Sequence, residues 1–450
     1  MAGPSFPRFQ PFLRRALLRF LQADQPFVSG GEAETAAEVE RHYRWNLAMN
    51  LLDGGIFWFG LSFISASTIL PLFVTKLTDS TLAVGLVAVI SSAGWFLPQM
   101  FAAHWIERLP RMVPVVARAG FFLERVPVWL LVGAALLAGS QPALALVVFF
   151  VVYLWRGLGG GVVAPAWQDM IARCFPVDRR GRFLGTASFL GAAAAVAGAA
   201  LSAWLLEQLP FPQNFAATFA IAGLAVTLSW FFLSRTREPA QPPSRRPVER
   251  ERLLARLPRV VRSDANFRRF LSARWLLALG GMGTGFLTVA AVNRWQVPDS
   301  TVGLFTTALW IGETVGYLCF GLLIDRFGNK LALELGAGAL AAAFLLALLA
   351  PAPAWYYVVF GLVGVHLAAL LSSGILVTME FSGPEQRPTY VGIANSTVGL
   401  VNMTAPLIGA WLATVGYGTL FAASAAVSLA GLGALHWAVR EPRWSVAGGA

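Results

Sequence analysis

Gly321-Leu322-Leu323-Ile324-Asp325-Arg326-Phe327-Gly328-Asn329-Lys330 is a short charged stretch between two apolar runs, residues 301–320 and 331–350. Runs of that length match membrane-crossing helices, since a hydrocarbon layer of roughly 30 Å takes about 20 residues at 1.5 Å each. The stretch therefore reads as a turn at a membrane surface. Gly321 is expected to let two helices approach closely, and Gly328 to take positive φ and reverse the chain. Asp325, Arg326 and Lys330 place both signs of charge at the mouth of a helix bundle.

A degenerate copy occurs earlier, Ala103-His104-Trp105-Ile106-Glu107-Arg108-Leu109-Pro110-Arg111. Glu107 stands 218 positions before Asp325, and the same spacing aligns Val84-Gly85-Leu86 with Val302-Gly303-Leu304. A second repeat, at 207 positions, aligns Gly185 with Gly392 and Trp204 with Trp411, each Trp inside an Ala-Trp-Leu triplet. The chain thus divides into two homologous halves. The paired stretches resemble the loop signature of the major facilitator superfamily, G-x-x-x-D-R-x-G-x-K, and the resemblance covers roughly residues 45–440.

Composition agrees with a membrane protein. Of 450 residues 57% are hydrophobic and 13% charged, with a mean hydropathy of +0.64, where soluble chains carry about 25% charged residues. The net charge of +11 would suit nucleic acid, but the basic residues sit in short loops between apolar runs and so report topology. No nucleic-acid partner is expected; lipid is. Cys174 and Cys319 are far apart and frame neither a disulfide nor a metal site. His42, His104, His366 and His436 have no ligand spacing.

The pattern predicts an all-α integral membrane protein of twelve transmembrane helices in two pseudosymmetric six-helix halves. An N-terminal segment, 1–44, has no signal-peptide h-region. Phe9–Leu21 within it reads as a helix on an anionic leaflet or as a disordered tail. The first half is 45–233, with spans at about 45–74, 82–103, 113–138, 143–171, 183–206 and 215–233. Residues 234–265 form a basic, Pro-rich solvated linker, within which 249–261 could form a surface helix. The second half, 266–439, places spans at about 270–292, 302–320, 331–350, 355–379, 390–415 and 420–439, before a tail at 440–450. Lys and Arg crowd the loops of one side, which the positive-inside rule makes cytoplasmic together with both termini. A bacterial-type cytoplasmic membrane is the expected location.

Ionisable residues inside spans are costly and functional by default. Asn46, Asn50 and Asp53 share one face of the first span, and Asn50 and Asp53 are expected in the cavity. Asp53 is the candidate proton carrier, with a helix-to-helix hydrogen-bond anchor as the alternative. Arg156 on the fourth span would bind an anionic group, pair with Asp53, or pair with another helix; always charged, it is no proton carrier. Arg118, Glu124 and Arg125 lie on the third span, which the resemblance places outside the cavity, and read as structural pairs. Glu313 on the eighth span faces interface or cavity, and His366 on the tenth is a packed residue or a relay. Asp169 and Arg173, four apart, are expected to pair beside the first gate loop. Asn395 and Asn402 would hydrogen-bond between helices, and Trp58 would line the cavity.

The resemblance implies a secondary transporter in which spans 1, 4, 7 and 10 line a solute cavity and spans 2, 5, 8 and 11 form the rocking interface. It assigns Asp325, Arg326 and Lys330, with Glu107, Arg108 and Arg111, to a cytoplasmic gate. The first copy departs from the signature at Ala103, Glu107 and Pro110. The fifth span lacks the Gly-Pro signature of family antiporters, while Arg156-Gly157-Leu158-Gly159-Gly160-Gly161 is loosely similar to a fourth-span motif linked to proton coupling. A small, amphipathic or hydrophobic solute, proton coupling and a monomeric state are the expectations. A non-transporting receptor or scaffold of the same fold is the alternative. Metal-ligand, nucleophile-elbow and phosphate-loop motifs are missing, so no enzyme, cofactor or metal is expected.

Overall fold

Within a bilayer every backbone N–H and C=O must be satisfied inside its own segment, which leaves helices as the element these apolar runs can form. The computed structural model describes residues 31–106, 109–239, 264–381 and 387–441. Among them eleven helices are long and apolar enough to cross a membrane. The twelfth crossing is the first span, Glu32–Ser62, which opens on a charged stretch and resumes after a break as Ile69–Thr75. The protein is all-helical, with the twelve spans in two six-helix halves. The expected surface helices at 9–21 and 249–261, the gate residues Glu107 and Arg108, and the tail beyond 441 lie outside the described residues.

Pseudosymmetry reaches the helix breaks. The first span breaks over residues 63–68, and the seventh, Ala265–Gly280 continued as Phe286–Trp295, breaks over residues 281–285. Phe63 and Gly281 are 218 positions apart, the spacing of the loop repeat. The breaks free the short outer pieces to tilt against each other, and Ile69–Thr75 packs on Phe286–Trp295.

Lipid supplies no hydrophobic drive between helices, so close packing depends on small residues. A Cβ on Gly94 of the second span (Thr81–Ile106) would strike the Gly157 backbone of the fourth (Pro142–Cys174). One on Gly312 of the eighth span (Asp299–Phe327) would likewise strike the Gly361 backbone of the tenth (Trp355–Glu380). Gly94 and Gly312 are again 218 apart, so the same backbone contact builds both halves. Between the halves, the fifth span (Val177–Gln208) packs on the eighth and the second on the eleventh (Arg387–Val415).

Three expectations need correction. The charged stretch at 321–330 is mostly helix: the eighth span runs through Asp325 and Arg326 to Phe327, and only Gly328, at φ +92°, reverses the chain. Gly321 meets no neighbour within 4 Å, so it serves no close approach. Residues 234–239, read as the start of a solvated linker, are docked on the first half, with Thr236 6% exposed and the Glu238 side chain 2% exposed.

Candidate functional site

The third span explains how charge enters the first half. Residues Val115–Ala119 and Phe121–Arg125 are π-wound before α-helix resumes at Val126–Leu137. The wider turn shifts side-chain directions away from the 3.6-residue register. Glu124 and Arg125, which pair with each other as expected, thereby reach the interior. They line a cavity of about 200 Å³ with Asp53, Trp58, Trp95 and Trp167. The expectation that this pair lies outside the cavity fails on that winding.

Asp53 is buried, and the Ser229 hydroxyl of the sixth span (Gln213–Leu233) donates to its carboxylate at 2.6 Å. The Arg125 guanidinium lies 5.6 Å from the Phe57 ring centre. Trp58, one turn beyond Asp53, meets Trp310 of the eighth span edge-to-face at 5.5 Å. Two carboxylates, one guanidinium and an aromatic wall thus share the space.

Other candidates are placed elsewhere. Asn50 is buried, but its amide donates to the Asn46 carbonyl and to Thr236 Oγ1 at 3.1 Å, outside that cavity lining. Arg156 is half-buried, and no ion pair joins it to Asp53 among the described residues. Glu313 is buried on the eighth span and accepts from the Tyr317 hydroxyl at 3.1 Å.

His366 belongs to a second cavity of about 210 Å³ between the halves, lined by the second, seventh, tenth and eleventh spans. Arg274, Asn402, Ser92 and Thr284 share it. His366 Nδ1 lies 2.9 Å from the Gly336 carbonyl, so Nδ1 carries the proton and Nε2 keeps the lone pair. Asn402 lines this cavity, whereas Asn395 is exposed. Arg274 was missed by sequence reasoning. The signal was available: it lies well inside the seventh span, where an ionisable residue is functional by default.

At the arginine-rich face, Asp169 and Arg173 form the expected pair at 2.7 Å, and Arg173 also donates to the Pro110 carbonyl at 2.9 Å. Arg111 is exposed. A strap formed by residues 234–239 completes this corner. The Glu238 carboxylate accepts from the backbone N–H groups of Met112 and Val113 and lies 3.6 Å from Arg173. Asn46 holds Arg237 by two backbone bonds of 2.8 Å. Burial raises the Glu238 carboxyl above its ordinary value, against the lowering effect of those N–H groups and Arg173.

The second half repeats the arrangement. Asn266 holds the backbone of Arg440 by two bonds of 3.0 and 2.9 Å, and the Glu441 carboxylate lies against Gly328. Arg237-Glu238-Pro239 and Arg440-Glu441-Pro442 are a sequence repeat that sequence reasoning also passed over. Lys330 stays within its own half, bonded to the His436 carbonyl and Glu334. Arg326 is exposed over Phe327.

Hydrogen bonds and ion pairs that join the halves cluster at the opposite face among the described residues. Lys76 pairs with Asp299 at 2.7 Å, Thr306 donates to Thr68 at 2.7 Å, and Thr288 donates to the Ser67 carbonyl at 3.2 Å.

Two pseudosymmetric six-helix halves with a cavity between them define the class of fold. The chain belongs to the major facilitator superfamily, whose sequence model matches residues 54–294 and 284–449. No curated protein matches it. Among solved structures it is similar to a D-xylose-proton symporter at 14% identity, covering 89% of this chain and 99% of that one with a TM-score of 0.67. A point mutant of the nucleoside transporter NupG matches at 14% identity over 87% and 98%, TM-score 0.62. A bacterial homologue of the iron transporter ferroportin in an inward-facing state matches at 15% over 86% and 97%, TM-score 0.60. The chain is a multi-pass membrane protein of a transporter family.

Proposed function

We propose that the protein is a secondary transporter that moves a small solute by alternating access, coupled to protons, and has no catalytic activity. One observation carries this reading. Among the described residues the bonds between the halves gather at the Lys76–Asp299 face, while Lys330, Arg173 and Glu238 are each engaged within their own half. That distribution is what an inward-facing state of a rocking carrier requires, with the gate charges waiting to meet across the halves on the other stroke.

The arginine-rich face is assigned to the cytoplasm of a bacterial-type cytoplasmic membrane, with both termini there, by the positive-inside rule. Asp325, Arg326, Lys330 and Arg111, with Glu107 and Arg108, are assigned to the gate. Asp53 is assigned as the proton carrier. It is a carboxyl within the membrane, beside a cavity, with a hydroxyl partner that serves it in either protonation state. The protein acts as a monomer, because each six-helix half supplies one wall of the path.

Thr68→Cys with Thr306→Cys, in a background lacking Cys174 and Cys319, tests the rocking motion. The two side chains already touch, so oxidation should abolish solute uptake into proteoliposomes and reductant should restore it. Uptake that continues with the disulfide closed would refute alternating access.

A further inference from the structure

Resting on the transporter reading, we infer that the solute is an organic anion whose carboxylate or phosphate is held by Arg274. Arg274 sits nine residues into the seventh span from Ala265, about 14 Å along the helix. Its side chain lines the cavity between the halves. Arg274 is half-buried; its Nη1 is enclosed beside Gly374 with no hydrogen-bond partner, and no carboxylate pairs with the guanidinium among the described residues. An arginine keeps its charge in a protein. A charge held this far inside a membrane span without a partner is costly.

The surroundings are shaped for the guanidinium rather than for a partner side chain. A Cβ on Gly374 of the tenth span would lie 3.2 Å from both Nη1 and Nη2, so the group rests over bare backbone. Other buried charges of the described residues are answered within the protein: Arg125 by Glu124, Arg173 by Asp169 and Glu238, Asp53 by Ser229, Glu313 by Tyr317. Arg274 is answered by none of the described residues, and it lines the cavity between the halves. The planar fork binds an oxyanion through two parallel N–H bonds. Asn402 and Ser92 offer neutral hydrogen bonds, and His366 offers a lone pair on Nε2, since Nδ1 is held by the Gly336 carbonyl. Leu277, Val363 and Leu370 make the rest of the wall apolar. The ligand that fits is a small anion with an apolar body.

Binding is read first, on the full chain in a neutral detergent, by thermal stabilisation with benzoate, phenyl phosphate and benzyltrimethylammonium. Benzoate or phenyl phosphate should raise the unfolding midpoint and the ammonium compound should not; whichever anion acts identifies the group. Arg274→Gln should weaken the effective anion at least tenfold, the scale of one lost hydrogen bond to a charged group. Arg274→Lys should fall between, because it keeps charge without the fork. If the Gln variant does not fold, Gly374→Ala displaces the guanidinium at constant charge and should weaken the same anion. Absence of anion binding to the native protein, or equal binding to these variants, overturns the assignment.

Uptake into proteoliposomes is read separately, with labelled benzoate, a neutral sugar and an amine. Uptake of the sugar or amine that ignores Arg274→Gln would overturn the anion site and leave transport standing. Arg274-dependent anion binding without uptake of any solute would uphold the site and overturn transport.

Discussion

The first half places two carboxylates, Asp53 and Glu124, and one guanidinium, Arg125, around its cavity. The second places Arg274 and His366 around the cavity between the halves, with no carboxylate in the lining. The halves that carry these groups are repeats of each other, down to the breaks at residues 63–68 and 281–285 and the Gly94 and Gly312 contacts. Duplication has preserved the scaffold, and charge has diverged on it. The division suits a coupled carrier: a protonatable group in one half, an anion-binding group in the other.

The largest expected effect separates those two roles. Asp53→Asn should abolish proton-driven accumulation, at least tenfold, while leaving anion binding and gradient-free exchange intact. Arg274→Gln should lose binding at every pH. If both variants lose binding alike, the division between halves is wrong.

The shared scaffold is tested next. Gly94→Leu and Gly312→Leu each force a side chain into facing backbone, a cost beyond the roughly 1–3 kcal/mol of ordinary overpacking. Both should fail to yield folded protein, whereas Gly321→Leu, in open space, should be silent. Unequal outcomes for the two buried positions, read by size-exclusion profile, would show that the halves are not equivalent.

A smaller effect compares the straps. Asn46→Ala and Asn266→Ala each remove two hydrogen bonds to a backbone segment, worth about 1–3 kcal/mol together. Both should expose that segment to proteolysis after the sixth and twelfth spans. The smallest effect is one of pH. Burial raises the Glu238 carboxyl above its ordinary 4.5, so the folded state holds its proton at a pH where the unfolded chain has released it. Stability relative to Glu238→Gln should therefore fall as pH rises through the interval just above 4.5, and level off beyond the raised value. A difference that grows with pH would mean that the N–H groups and Arg173 outweigh burial.

Much of this was legible in the sequence. Apolar run length marked the spans, and the 218-residue repeat marked the two halves. Asp169 and Arg173 were placed correctly because an i, i+4 pair needs only helical register. Glu124 and Arg125 were read as structural pairs outside the cavity because the resemblance excludes the third span from it; the π-winding that brings them in leaves no mark on a 3.6-residue pattern. Asn50 was assigned to the cavity on the strength of sharing a face with Asp53; one turn along, that face meets Thr236 of the strap instead. The eighth span overran its expected end because Asp325 and Arg326 are as acceptable in a final helical turn at a surface as in a loop. The strap itself was hidden by composition: Pro and Arg suggest a solvated linker, and only the Arg-Glu-Pro repeat hinted that its start is bound.

Distances between the halves at both faces test the central claim most directly. Spin labels at Gln208 and Leu349 report the Lys76–Asp299 face, and labels at Gly185 and Asn395 report the arginine-rich face; these positions lie on exposed helix surfaces. Double electron–electron resonance should show one distance lengthening as the other shortens when pH and anion are changed, because two rigid halves rock about the cavity between them. Distances that stay fixed at both faces, or that move in the same sense, would contradict the account.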